Sequence, residues 1–265
     1  MSDEIVAPAT RDLDILARQL SSWMQSRLDG ASDVQIRNLT YPRGAGQSHE
    51  TILFDASWSQ RGARVERGCV VRIKPTGHQV FPDTLFDEQY RLMDFLHRDG
   101  RVRVAEIYWY EGEAALLGAP FFVMEKKIGR VPVSHPPYRE VGWVAEATPA
   151  QRAKIWENGV RQMAAVQAVP LEPLTFLRGA TEGAREGLAQ EWDKYRRFIA
   201  WAAGDEVRPV FEAGMDRLEK IWPKNQPPGL VWGDARIGNM MFGDDFEVVA
   251  VMDWEIGRAS CRERV

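Results

Sequence analysis

The sequence predicts an α+β fold in two lobes: an antiparallel sheet carrying a helix in residues 1–126, then a mainly helical second lobe in residues 127–255. Three observations carry this expectation. Period-two apolar runs crowd the stretch up to Glu125, runs with helical spacing dominate beyond Thr148, and the character of the chain changes after Gly129. With 265 residues and 45% hydrophobic content, the chain is long enough to bury a sizeable core as one large domain or two lobes.

The elements follow in order. Leu13, Leu16, Leu20, Trp23 and Met24 repeat at helical spacing within residues 10–28. Strand-like runs come next at residues 34–40, 51–58 and 68–74, with the glycine-bearing turn of residues 42–48 between the first two. Phe86, Tyr90, Met93 and Leu96 suggest a helix over residues 83–98, followed by strands at 104–110 and 121–125. Three prolines in residues 131–137 mark an irregular connector. Thr148-Pro149 is a strong helix start, Thr serving as N-cap and Pro as first helical residue, and that helix should run to about Val169. Residues 185–203 and 207–222 read as further helices, stopped by Gly204 and Pro223. The aromatic run of Trp192, Tyr195, Phe198 and Trp201 reads as core.

Composition excludes several classes of function. Net charge is −4 with acids and bases intermixed, so neither a nucleic-acid stripe nor a polybasic membrane patch is expected. The amino terminus lacks a signal-peptide pattern and no apolar run approaches membrane-spanning length, which together predict a cytoplasmic protein. Two cysteines, Cys69 and Cys261, are too few for a disulfide framework, and the four histidines lack metal-ligand spacing.

The chemistry concentrates near the end. Asp234 and Asn239 enclose four residues, and Asp253 follows the strand expected at residues 248–252. That is the order of a kinase catalytic loop: an Asp that orients the attacking hydroxyl, an Asn that holds a metal ion, and an Asp that grips Mg²⁺ beneath the nucleotide phosphates. Phosphoryl transfer asks little more of a protein than positioning and charge neutralisation. A lone Asp–Asn spacing is common in turns; the ordered series of apolar entry, Asp, Asn, hairpin at Gly243-Asp244-Asp245, strand and Asp is not.

Candidates for the remaining parts lie upstream. Gly44 and Gly46, followed by Ser48, sit between two strands, where backbone N–H groups could cover phosphates, although an ordinary hairpin turn fits as well. A P-loop is absent from the sequence. Arg72 and Lys74 alternate on one strand and so share a face, offering a phosphate-binding cation. Glu88 is the natural partner from the following helix, with Asp87 competing. Met124 and Glu125 end an apolar strand at the lobe junction, where backbone groups could bond an adenine while Met124 and Val71 pack on its faces.

With these residues in hand, the chain resembles the aminoglycoside phosphotransferase family, small-molecule kinases of protein-kinase-like fold, over about residues 36–255. The resemblance implies Asp234 as catalytic base, Asn239 and Asp253 as Mg²⁺ ligands, and Arg72 as the phosphate-binding cation paired with Glu88. It implies ATP or GTP as phosphoryl donor and a small-molecule hydroxyl as acceptor. Two departures stand out. Trp232 occupies the place usually held by His, and an indole donates a hydrogen bond but accepts none, so a repacked loop with an intact base is expected. The family also continues well beyond the second Asp. Residues 256–265, with three arginines and no apolar periodicity, are read as a non-native tail on a truncated copy. The rivals are a nucleotide-binding pseudokinase or scaffold, and a metal-dependent hydrolase built on Asp234, Asp244, Asp245 and Asp253. The acceptor itself is not legible.

Overall fold

The computed structural model describes residues 11–42, 49–76, 85–178, 187–224, 227–254 and 258–261. Its first half is a five-stranded antiparallel sheet with strand order β1-β2-β3-β5-β4. The strands are β1 (Ala31–Thr40), β2 (Glu50–Gln60), β3 (Ala63–Ile73), β4 (Ile107–Glu111) and β5 (Phe121–Glu125). Helix α1 (Leu13–Arg27) covers one face. Its buried Leu16, Leu20, Trp23 and Met24 pack with Ile52, Phe54, Ala56 and Trp58, the alternate residues of β2, and with Val71, Ile73, Phe121 and Val123. Asp12 caps α1 by accepting from the N–H groups of Asp14 and Ile15. Cys69 belongs to this core, and burial pushes its thiol up to about 12, far from any nucleophilic range.

The opposite face meets α2 (Phe86–Asp99). Phe86 lies 5.2 Å from Phe122, and Tyr90 stacks on Tyr110 at 4.4 Å. The sheet therefore carries helices on both faces, where one was expected. The reason lies in the end of β3 and in β5, where Val71, Ile73, Phe121 and Val123 are buried toward α1 while Val70 and Phe122 are buried on the other face.

Beyond Gly129 the chain is mainly helical, with α3 (Trp143–Glu146), α4 (Pro149–Gln167), α5 (Leu188–Ala203) and α6 (Pro209–Lys220). Thr148 and Gln151 cap α4 reciprocally, side chain to backbone in each direction. Short strands also lie in this half, among them β6 (Pro228–Val231) and the hairpin of β7 (Met240–Phe242) with β8 (Val248–Val251). Its turn is the expected one, closed by Gly243 N–H to the Glu247 carbonyl at 2.9 Å. Gly129 lets the chain cross β7: a Cβ there would sit 2.7 Å from the Phe242 carbonyl oxygen. The neighbouring Arg130 then exchanges two backbone hydrogen bonds with Phe242, both 2.8 Å, fixing the connector to the hairpin.

Two expectations for this half are corrected. The aromatic run on α5 is only partly core: Trp192 is buried, but Tyr195 and Trp201 are about half exposed at 49% each, because full burial on α5 is confined to its first turn, at Gln190, Glu191 and Trp192. The tail is not wholly outside the fold either. Arg258–Cys261 form β9, which pairs antiparallel with β6 from Pro228↔Cys261 to Val231↔Arg258. A strand edge offers unpaired N–H and C=O groups to any extended segment in reach, whatever its side chains. Among the described residues no helix is long and apolar enough to cross a membrane.

Candidate active site

β6 delivers the chain into the core through Leu230 and Trp232, 1% and 3% exposed. Gly233, at φ 98°, then turns it outward so that Asp234 emerges half-exposed. A short 3-10 turn, Ile237–Asn239, returns the chain, and Asn239 is buried. Its amide Nδ2 donates to Asp234 twice, to the backbone carbonyl at 3.0 Å and to Oδ2 at 2.9 Å. The four-residue spacing is thus the length of chain that lets one amide grip both the backbone and the carboxylate of the same Asp. With Nδ2 so engaged, Asn239 presents Oδ1, the hard oxygen donor that suits Mg²⁺.

Asp253 joins the pair through the backbone. The N–H of Met252 donates to the Asn239 carbonyl at 2.8 Å, which sets Asp253 one residue from that contact. Asp253 holds φ 63°, a left-handed conformation costly for a residue with a Cβ. Non-glycine residues kept there concentrate at functional sites.

Trp232 provides the second tie. Its indole Nε1–H donates to the Met252 carbonyl at 2.8 Å, and its ring packs on Trp254 at 6.0 Å. Trp254 is anchored by donating to the Val251 carbonyl at 3.0 Å. The expected repacking is therefore a strut: one residue before Gly233-Asp234 holds the residue before Asp253. Donation is all that this place requires, so an indole suffices.

Arg236 was missed in the sequence. Its Nε donates to Asp234 Oδ2 at 2.8 Å, and Nη1 reaches Ser134 Oγ at 3.2 Å. Oδ2 thus carries two donors, Arg236 and Asn239, while Oδ1 accepts from no side chain or backbone group among the described residues. The only signal was a cation two residues past the Asp.

The upstream residues divide. Arg72 is 9% exposed and projects from the α2 face of the sheet, since its cross-strand partner is Phe122. Its guanidinium lies 3.0 Å from His49 Nδ1. The expected ion pair with Glu88 does not form among the described residues, because Glu88 lies beside the buried stripe of α2 and not on it. Asp87, the competitor, instead accepts from the Tyr110 hydroxyl; burial and that carboxylate push the phenol up. Lys74 falls just past the end of β3, its N–H bonded to the Pro120 carbonyl at 2.9 Å. Met124 pairs across the sheet with Val70, while Val71 points into the α1 core, so Val71 cannot share a face with Met124. At Glu125 the backbone N–H is already bonded to the Glu106 carbonyl at 2.8 Å and the carboxylate to Lys127 at 2.7 Å. Gly44, Gly46 and Ser48 lie outside the described residues. For the hydrolase rival, no group of three or more His, Cys, Asp or Glu side chains comes together among the described residues, and Asp244 points to solvent.

Residues 50–259 match the phosphotransferase enzyme family. The chain belongs to that family. Among solved structures it is similar to a Ralstonia eutropha protein named for the aminoglycoside phosphotransferases, with TM-score 0.62 and 24% identity over 92% of this chain and 66% of that one. The GDP and kanamycin complex of an aminoglycoside phosphotransferase gives TM-score 0.53 and 16% identity over 93% of this chain and 74% of that one. At such identities the likeness is one of fold, and it is the kinase-like α+β fold expected. Among sequences the family member is 26% identical over 247 residues to acyl-CoA dehydrogenase family member 11 of Rattus norvegicus, and 24% identical over 244 residues to its Homo sapiens counterpart. These matches take in 90% and 91% of this chain and 29% of each relative, so the chain spans less than a third of their length.

Proposed function

We propose that this family member catalyses Mg²⁺-dependent transfer of the γ-phosphoryl group of ATP, or of GTP, to a hydroxyl of a small molecule. The observation that carries the reading is the join of Asp234, Asn239 and Asp253: a shared amide on one side, and a backbone bond from Met252 on the other. Residues 1–126 would act as the nucleotide-binding lobe and 127–255 as the catalytic lobe. The donor set fits the metal, since Asn239 Oδ1 and the Asp253 carboxylate are both hard oxygen ligands. When bound, Mg²⁺ neutralises charge on the β- and γ-phosphates.

The chain's own residues do the rest. Asp234 Oδ1 accepts the acceptor's hydroxyl proton as that oxygen bonds to the γ-phosphorus and the bridge to the β-phosphate breaks, releasing the nucleoside diphosphate. Arg236 and Asn239 hold Oδ2 and so fix the direction of Oδ1. Arg72 steadies the phosphates from β3, with Lys74 near the same edge.

Transfer of labelled γ-phosphate tests this directly, with a panel of hydroxylated small molecules in the presence and absence of Mg²⁺. Two compounds belong in the panel by similarity: kanamycin, bound by a structural neighbour, and hydroxylated acyl-CoA thioesters, suggested by the relatives' names. Labelled product that requires Mg²⁺ supports the reading. Nucleotide binding with neither transfer nor hydrolysis would support the pseudokinase, which Trp232 motivates.

A further inference from the structure

One residue of α2 is unexplained by packing. Gln89 is 2% exposed, yet neither its Nε2 nor its Oε1 has a hydrogen-bond partner. A buried polar group left unsatisfied costs about 1–3 kcal/mol. Native folds tolerate such a group where a ligand or a catalytic role answers for it.

Its place on the helix is specific. Successive residues turn by about 100°, which sets Gln89 at the middle of the arc formed by buried Phe86, Leu92, Met93 and Leu96. Glu88 lies one step round, off that arc. One flank of the arc meets the sheet at the cation: Phe86 is 5.3 Å from His49 and 5.2 Å from Phe122. His49 in turn contacts Arg72, and Phe122 is the cross-strand partner of Arg72. The helix also packs against the 3-10 segment Glu172–Leu177 of the helical half, whose Leu174 and Leu177 share one core with Leu92 and Leu96. Gln89 is thereby set in the core between the strand that holds Arg72 and the helical half.

We infer that Gln89, not Glu88, is the α2 residue that positions the nucleotide's polyphosphate, its carboxamide bridging Arg72 and a phosphate oxygen. The inference rests on the nucleotide-binding reading above. Oε1 accepts from the guanidinium and Nε2 donates to the phosphate, so both orphaned atoms are satisfied together. A carboxamide does this without adding negative charge beside a polyanion, as a glutamate would.

Calorimetric titration of the 265-residue protein with Mg·ADP, and separately with adenosine, tests the assignment. Q89L should melt at or above the wild-type temperature, because an apolar side chain removes two unsatisfied polar atoms. Its affinity for Mg·ADP should nevertheless fall about tenfold or more, with adenosine affinity within about twofold of wild type. Unchanged Mg·ADP affinity would overturn the inference. So would parallel losses for ADP and adenosine, the signature of a packing defect that ignores phosphate. If Q89L does not fold, Q89M carries the same comparison. A wild-type protein that binds no Mg·ADP overturns the nucleotide reading itself, and this inference with it.

Discussion

Asp234→Asn is expected to lower phosphoryl transfer by about 10²–10⁴-fold, the range for loss of a positioned general base, while Mg·ADP binds as before. The substitution keeps the shape of the side chain. Arg236 Nε and Asn239 Nδ2 both donate to Oδ2, so the new amide turns its oxygen toward them. Its NH₂ then occupies the place of Oδ1 and offers a donor where the acceptor hydroxyl needs an acceptor. The residues proposed to hold the nucleotide and its metal, Arg72 on β3 and Asp253, are untouched. Steady-state kcat measured beside equilibrium binding of Mg·ADP checks both halves. Undiminished turnover would remove Asp234 from the chemistry.

Trp232→Ala carries the largest expected structural effect. It deletes a side chain that is 3% exposed and packed on Trp254, and such truncations cost about 3–5 kcal/mol. Against a typical total stability of about 5–15 kcal/mol, a large drop in melting temperature is expected, up to loss of the fold. Trp232→Phe separates packing from the strut. It keeps an aromatic ring but strips the Met252 carbonyl of its donor, at about 1–3 kcal/mol. Because Met252 precedes Asp253, this milder variant should also weaken Mg²⁺-dependent nucleotide binding while sparing binding without metal. A Trp232→Phe protein with wild-type metal dependence would mean that the indole only fills space.

What the sequence made legible was local. The alternation Ile52, Phe54, Ala56, Trp58 and the cap at Thr148-Pro149 each declare their element within a few residues, and both elements formed where expected. The spacing from Asp234 to Asn239 declared itself in the same way, since the reach of one amide fixes it. Errors arose where one residue of phase decides a face. Glu88 and Gln89 differ by a single step on a helix, and only the packing of Phe86 against Phe122 shows which of them is turned inward. Val70 and Val71 differ by one step on a strand, and the pairing with β5 decides which shares a face with Met124. Long-range partners were the least legible. The bond from Trp232 to Met252 spans twenty residues, and the pairing of β9 on β6 involves a segment with no apolar pattern at all.

In the proposed reaction Asn239 and Asp253 would jointly hold the metal beneath a nucleotide. Titrating ADP into wild-type and Asp253→Ala proteins, each with and without Mg²⁺, measures that claim most directly. The wild type should bind more tightly when Mg²⁺ is present, and the variant should show no such gain while retaining its metal-free affinity. An Asp253→Ala protein whose ADP affinity still rises with Mg²⁺ as in the wild type would contradict the assignment.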